Sequence, residues 1–299
     1  MDAGHQPSDR QNDCPFCGSA SAEPILFDCV RCRSCGLRYS PAFVRGGQPA
    51  RSGETRTAVW MDSQARLNEE RLNEIESVLG RKGRLLDVGC GFGFFLKQAA
   101  ERGWNAEGTE IYEPAIRQAR DEYHLQIHTG SLSELNLAPE SYDAVTLWNV
   151  LDVLPDPLGD MQIMRRVLKP GGWIWIRVNN DLFHYPAYRL GRTRFLARLE
   201  LKPGVLHSLG VTPRALRGFL NRCGFDEVRL RNAPLTAGDP SQTGGKLGAG
   251  FVALAKKNLS TFWQALAVLS GGKILLGSTL LCRARKPDAK PAYSLVSKF

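Results

Sequence analysis

Two groups of residues in this 299-residue chain have the types and spacing for chemistry. Cys14-Pro15-Phe16-Cys17-Gly18 and Cys32-Arg33-Ser34-Cys35-Gly36 form two Cys-x-x-Cys pairs, each followed by glycine. Four thiolates at this spacing close a tetrahedral zinc site, and a shell filled by cysteine leaves no open position, so the ion expected is structural. Cys29-Val30-Arg31-Cys32 is also Cys-x-x-Cys. Arg33 follows that pair where a knuckle favours a small residue at positive φ, so Cys32 and Cys35 are the expected ligands and Cys29 the spare; whether Cys29 replaces one of them stays open. The second group is Asp87-x-Gly89-x-Gly91-x-Gly93, which follows the apolar Leu85-Leu86 and precedes a helix-compatible run, Phe94 to Glu101. Such glycines let a ligand approach closer than any Cβ would permit, and a helix N-terminus presents unpaired N–H groups to it.

The elements that must position these residues follow from periodicity. Leu85 to Val88 reads as a strand, preceded by an amphipathic helix between Arg56 and Leu79 with apolar positions at Leu67, Leu72, Ile75, Val78 and Leu79. Trp104 to Thr109 reads as a second strand ending at Glu110, an acid about 20 residues past the loop, where a carboxylate can accept from a ribose diol. Pro114 to Tyr123 is the next expected helix, Ile127 to Leu132 a third strand and its exit, and Ser141 to Leu151 a fourth. Met161 to Leu168 reads as a helix closed by Lys169-Pro170-Gly171-Gly172, and Trp173 to Val178 as a fifth strand. Strand, turn and helix in this succession read as an α/β chain.

A dinucleotide fingerprint needs Gly-x-Gly-x-x-Gly, and here Phe94 stands where the last glycine belongs. The loop, Glu110, the fourth-strand exit and Leu168-Lys169-Pro170-Gly171-Gly172, in this order, instead resemble the class I S-adenosylmethionine-dependent methyltransferases over about residues 85–180. The resemblance implies a Rossmann-like seven-stranded sheet with helices on both faces, and S-adenosyl-L-methionine as cofactor. Asp87, Gly89, Gly91, Gly93 and Glu110 then hold the cofactor, with Ser131 and Leu132 near the adenine and Asn149 beside the methionine moiety. Members of the family often carry an acid near Ser131, and none stands at that position here. Further on, Thr212 to Leu220 with Cys223-Gly224-Phe225 resembles the late helix and turn before the sixth strand, Val228 to Leu230, and Ser278 to Arg285 is the expected seventh.

The resulting division is a tail at 1–13, a zinc ribbon at 14–45 and a methyltransferase domain at 56–287, with an inserted lid at 182–211, an inserted apolar helix at 258–272 and a tail at 288–299. Gly46 to Gly53 reads as a linker. For the apolar helix, core or dimer packing is expected over shallow membrane contact. Transfer to a hydroxyl needs a general base, and Asp152, His184, Tyr185 and His207 are the candidates. Asparagine- or aspartate-Pro-Pro-aromatic turns of adenine-N6 enzymes and the cysteine of cytosine-C5 enzymes are missing from Trp148-Asn149-Val150-Leu151.

An N-terminal four-cysteine ribbon on this domain is similar to bacterial sugar and secondary-metabolite methyltransferases, which implies a small-molecule acceptor, on a sugar, glycan or lipid-linked intermediate, methylated at oxygen or carbon. Net charge is +9, split as −8 over residues 1–164 and +17 over 165–299. The basic half suits an anionic acceptor, with Arg189, Arg192, Arg194, Arg198 and Lys202 as a candidate anion-binding lid. Two alternatives stay open: methylation of structured RNA gripped by the basic half, and a non-catalytic S-adenosylmethionine-binding scaffold. No secretory leader is evident, so a cytoplasmic protein is expected, with peripheral contact at the inner membrane face and a homodimer as further possibilities.

Overall fold

The computed structural model describes residues 13–26, 28–44, 58–191, 207–234 and 249–288. The expected linker at 46–53, Arg192, Arg194, Arg198 and Lys202 of the candidate lid, and nearly all of both tails lie outside the described residues.

A seven-stranded mixed sheet forms the body. Its strands are β4 (Arg84–Val88), β5 (Asn105–Glu110), β6 (Gln126–Thr129), β7 (Tyr142–Trp148), β8 (Leu168–Asn179), β10 (Asp226–Asn232) and β11 (Thr279–Arg285). They are ordered β10-β11-β8-β7-β4-β5-β6. Strands β4 to β8 pair in parallel, and β11 runs antiparallel between β8 and β10. Strand order reverses between β4 and its neighbours β5 and β7, the switch point at which open α/β sheets bind ligands beyond their carboxyl ends.

Both sheet faces are covered because the central strands are apolar on both sides. On one face α2 (Ala58–Leu79), α3 (Phe94–Glu101) and α4 (Glu113–Tyr123) bury Leu72, Ile75, Phe95, Leu96, Ile116 and Ala119 against Leu85, Ala144 and Trp175. On the other, α5 (Pro157–Val167) and α7 (Pro213–Arg222) bury Met161, Met164, Leu216 and Phe219 against Leu86, Val145, Leu147, Ile174 and Ile176.

Two expected boundaries move. Helix α5 starts at Pro157, capped by Asp156, whose carboxylate accepts the Gly159 N–H at 3.0 Å. It ends at Val167, so the Lys169-Pro170-Gly171-Gly172 turn lies inside the long β8. The reason is lateral pairing: Gly171 N–H donates to the Lys286 carbonyl and Lys286 N–H to the Gly172 carbonyl. The apolar insertion forms a longer helix, α8 (Ala249–Leu269), and leaves Leu259, Phe262, Val268 and Leu269 exposed. Among the residues of α8 whose burial is described, Ala267 alone is buried. Among the described residues no helix is long and apolar enough to cross a membrane.

A second, four-stranded sheet contains β1 (Ala22–Pro24), β2 (Val30–Cys32), β3 (Arg38–Tyr39) and β9 (Leu209–Gly210), in that order. Short helix α1 (Pro41–Val44) follows β3, and α6 (Asp181–Gly191) follows β8. The cysteine ribbon thus takes its fourth strand from the region expected to be the lid.

Candidate cofactor and acceptor site

At the carboxyl end of β4 the chain turns through Gly89, Gly91 and Gly93, all at positive φ. A Cβ on Gly93 would sit 2.7 Å from Leu125 Cδ1, whereas one on Gly91 would meet nothing within 4 Å, which marks Gly91 as the side open to a ligand. Glu110 fixes the loop: its Oε2 accepts the Gly91 N–H at 2.8 Å, and its Oε1 accepts the N–H groups of Ile111 and Tyr112 at 2.8 and 2.9 Å. Asp87 is buried and accepts from Thr146 Oγ1 at 2.6 Å. Burial pushes its pKa up to about 7, against the Thr146 bond and the nearby Arg71 charge.

Asn149 takes φ 63°, and its Oδ1 accepts from Arg177 Nη1 at 2.7 Å, which fixes the turn out of β7. Ser131 caps a short 3-10 turn: its hydroxyl and N–H both donate to Glu134 Oε2, at 2.6 and 2.8 Å. Leu132 is buried in the core, so its backbone is what it can offer a cofactor.

The base candidates do not remain equivalent. Asp152, in the 3-10 turn after β7, is 1% exposed; its Oδ2 accepts from Asn179 Nδ2 at 3.0 Å and lies 3.4 Å from His207 Nδ1. Its Oδ1 is buried with no hydrogen-bond partner among the described residues. His184 on α6 crosses His207 edge-on at 6.1 Å, but its Nε2 lies 2.9 Å from the Ser278 carbonyl. A carbonyl only accepts, so that nitrogen carries the proton. Burial, and then the neighbouring His207, lower the His184 pKa. Tyr185 is nine-tenths buried and faces the guanidinium groups of Arg31, Arg38 and Arg189 at 5.3, 5.9 and 5.8 Å. Of the four candidates, Asp152 and His207 are the two that set a carboxylate beside an imidazole, 3.4 Å apart.

Residues 60–229 match the model of a family described as a methyltransferase domain. The chain belongs to this family. As a methyltransferase it is similar to the ubiquinone biosynthesis O-methyltransferase of Nitrosomonas europaea, with 32% identity over 183 residues, 57% of this chain and 77% of that one. A protein of the same name from Leptothrix cholodnii is 30% identical over 139 residues, and there the match spans 40% of this chain and only 58% of the relative. Solved structures show the same fold. An S-adenosylmethionine-dependent methyltransferase from Mesorhizobium loti matches at TM-score 0.50 with 21% identity, over 75% of this chain and 99% of that one. A phosphoethanolamine N-methyltransferase of Haemonchus contortus, in complex with S-adenosyl-L-methionine, matches at 0.51 with 16% identity, over 80% of this chain and 59% of that one.

The methyltransferase carries a buried cation that the sequence pattern hides. Arg71, among the charges of α2, is buried, donates to Asn68 Oδ1 at 2.7 Å and packs 4.3 Å over the Trp148 ring. Burial, followed by the Arg177 charge, lowers its pKa to about 9, against the pull of the Asp87 and Glu70 carboxylates. Arg71, Trp148 and Trp175 line a cavity of about 420 Å³. In the sequence Arg71 looks like any solvent-face charge; only the burial of its neighbour Leu72 hints at its position.

The ribbon cysteines converge as their spacing implies. The Sγ atoms of Cys14, Cys17, Cys32 and Cys35 all lie within 4.8 Å of one another. Gly18 and Gly36 close the two knuckles at φ 66° and 81°, donating to the Cys14 and Cys32 carbonyls at 2.8 and 2.9 Å. Cys29 stands outside the cluster, its Sγ 3.6 Å from Arg38 Nη1.

Proposed function

We propose that this methyltransferase transfers a methyl group from S-adenosylmethionine to the hydroxyl of a small molecule. The observation that carries the reading is the Asp152–His207 pair beyond the carboxyl ends of β7 and β8, on the exit from the same sheet edge as the glycine loop. Relatives named for O-methylation in ubiquinone biosynthesis support oxygen as the accepting atom. They give sugar and glycan acceptors no separate support. Exposed Leu182 and Leu190 on α6, the helix that carries His184, suit an acceptor with an apolar or lipid-linked tail.

When bound, the cofactor supplies an electrophilic methyl group on a sulfonium centre. Glu110 would hold its ribose side, with the Gly89–Gly93 backbone close against it, the backbone of Ser131 and Leu132 at the adenine and Asn149 at the amino-acid side. Arg71 is the counter-charge for its carboxylate: a buried guanidinium near Asp87 at the head of the loop, with no carboxylate at ion-pair distance among the described residues, fits the one anionic group the cofactor has. Asp152 orients His207 through Nδ1, which leaves Nε2 to take the acceptor's proton. His184 and Tyr185 wall the acceptor side. Cys14, Cys17, Cys32 and Cys35 fit one zinc ion, since Zn–S bonds of about 2.3 Å place sulfurs at the mutual distances seen here.

Calorimetric titration with S-adenosylmethionine and S-adenosylhomocysteine tests the cofactor site. Micromolar binding that Asp87→Ala and Glu110→Ala both abolish is expected; binding absent from the wild type, or undiminished in both variants, overturns it. An acceptor screen of lipid-linked and simple hydroxyl compounds beside activated sugars then decides the acceptor class. Binding of RNA that weakens steeply with salt would redirect the reading to nucleic acid.

A further inference from the structure

The ribbon packs against the methyltransferase fold. Cys14, Phe16, Cys32, Leu37 and Tyr39 belong to the same buried cluster as Val145, Ile176 and Phe219 of the methyltransferase fold. Phe16 stacks on Phe219 at 4.1 Å with the rings 13° apart, both almost wholly buried.

At the centre of this junction sits Arg38, 1% exposed. Its Nε and Nη2 donate to Asp181 Oδ1 at 3.0 and 2.9 Å, and Nη2 also donates to the backbone carbonyl of His207 at 3.0 Å. Beside it β3 pairs with β9, Arg38 opposite Gly210 and Tyr39 opposite Leu209, while Ser40 N–H reaches the Ser208 carbonyl at 3.3 Å. The fit is close: a Cβ on Gly210 would lie 2.5 Å from Asp181 Cγ and 2.6 Å from Arg38 Nε. Among the described residues β9 thus pairs only with β3 of the ribbon, and the His207 carbonyl is held by Arg38, whereas the His207 ring lies against Asp152 of the methyltransferase fold. The backbone of the base is held by one module and its side chain by the other.

We propose that the ribbon, through Arg38, is the device that positions the His207 imidazole against Asp152; the proposal rests on the reading of His207 as the base. Arg38 touches neither cofactor nor acceptor and acts through the His207 carbonyl. The contacts are divided between Nε and Nη2, two nitrogens held in fixed positions by the planar fork, a spread that the single nitrogen of an ammonium does not reproduce, so lysine is not an equivalent.

The test uses the full chain. Arg38→Met alone strands the Asp181 carboxylate and risks unfolding, so Arg38→Met/Asp181→Leu, which removes both buried charges, accompanies Arg38→Lys. Zinc content and thermal melting report whether ribbon and fold persist, and the His207 Hε1 resonance, assigned with His207→Gln, reports its surroundings without turnover. Expected are one zinc per chain, an unchanged Kd for S-adenosylmethionine, a displaced His207 resonance and a kcat at least tenfold lower in both Arg38 variants. Wild-type kcat with an unmoved resonance in the folded double variant overturns the proposal. Wild-type turnover by His207→Gln removes the base assignment instead; the resonance then decides positioning by itself, displacement supporting it and constancy overturning it.

Discussion

At the scale of single residues, Asp87 has the strongest consequence. Burial raises its pKa from 3.8 to about 7. A carboxyl raised in the folded state binds its proton more tightly there than in the unfolded chain, so its contribution to stability is full below pH 4 and is lost as pH rises through 7. Urea unfolding between pH 4 and 7 should show wild-type stability falling by a few kcal/mol more than that of Asp87→Asn. The cationic cofactor favours the ionised carboxylate, so affinity for S-adenosylmethionine should rise with pH up to about 7 with proton release, read by calorimetry in buffers of different ionisation enthalpy. Arg71→Met should weaken cofactor binding about tenfold to a hundredfold, the worth of one hydrogen-bonded charge, while leaving melting nearly unchanged. The glycines, Asp87 and Glu110 were readable from sequence because each departs from its surroundings in type. Arg71 was not, because burial of one charge on a charged helix leaves no trace in composition.

At the scale of elements, order and type follow the apolar periodicity closely from β4 to β11, since the central strands are buried on both faces and read as continuous runs. What periodicity misses is lateral. The two residues of β9 are too few for a pattern, and their strand character comes from β3, far away in sequence. Likewise the Lys169–Gly172 turn joins β8 because Lys286 pairs with it, and Asp143 explains why this corner is rigid. Its carboxylate accepts from Lys169 Nζ at 2.7 Å, Arg84 N–H at 2.9 Å and Arg81 Nη2 at 2.5 Å. Although burial opposes it, these bonds hold the Asp143 pKa below the ordinary value. Asp143→Ala should cost about 2–3 kcal/mol in chemical unfolding, with cofactor affinity retained, because it unties β4, β7 and β8 at the end away from the ligand.

At the scale of the whole molecule, the sequence separates a ribbon from a methyltransferase domain, and the structure packs the two into one buried cluster. The division lies in composition, whereas the junction depends on Phe16, Arg38, Asp181 and Phe219, ordinary residues in isolation. Zinc chelation should therefore lower the melting temperature of the entire chain in a single transition; a separate early ribbon transition would show two independent units. The junction also bears on synthesis. Strand β3 and the stacking face of Phe16 leave the ribosome well before their partners, Leu209–Gly210 and Phe219, which follow only after β4 to β8 of the central sheet. Until then the nascent chain carries an unpaired strand edge and an uncovered aromatic surface, so a polypeptide halted before residue 207 should be a preferred client of holding chaperones and should aggregate without them.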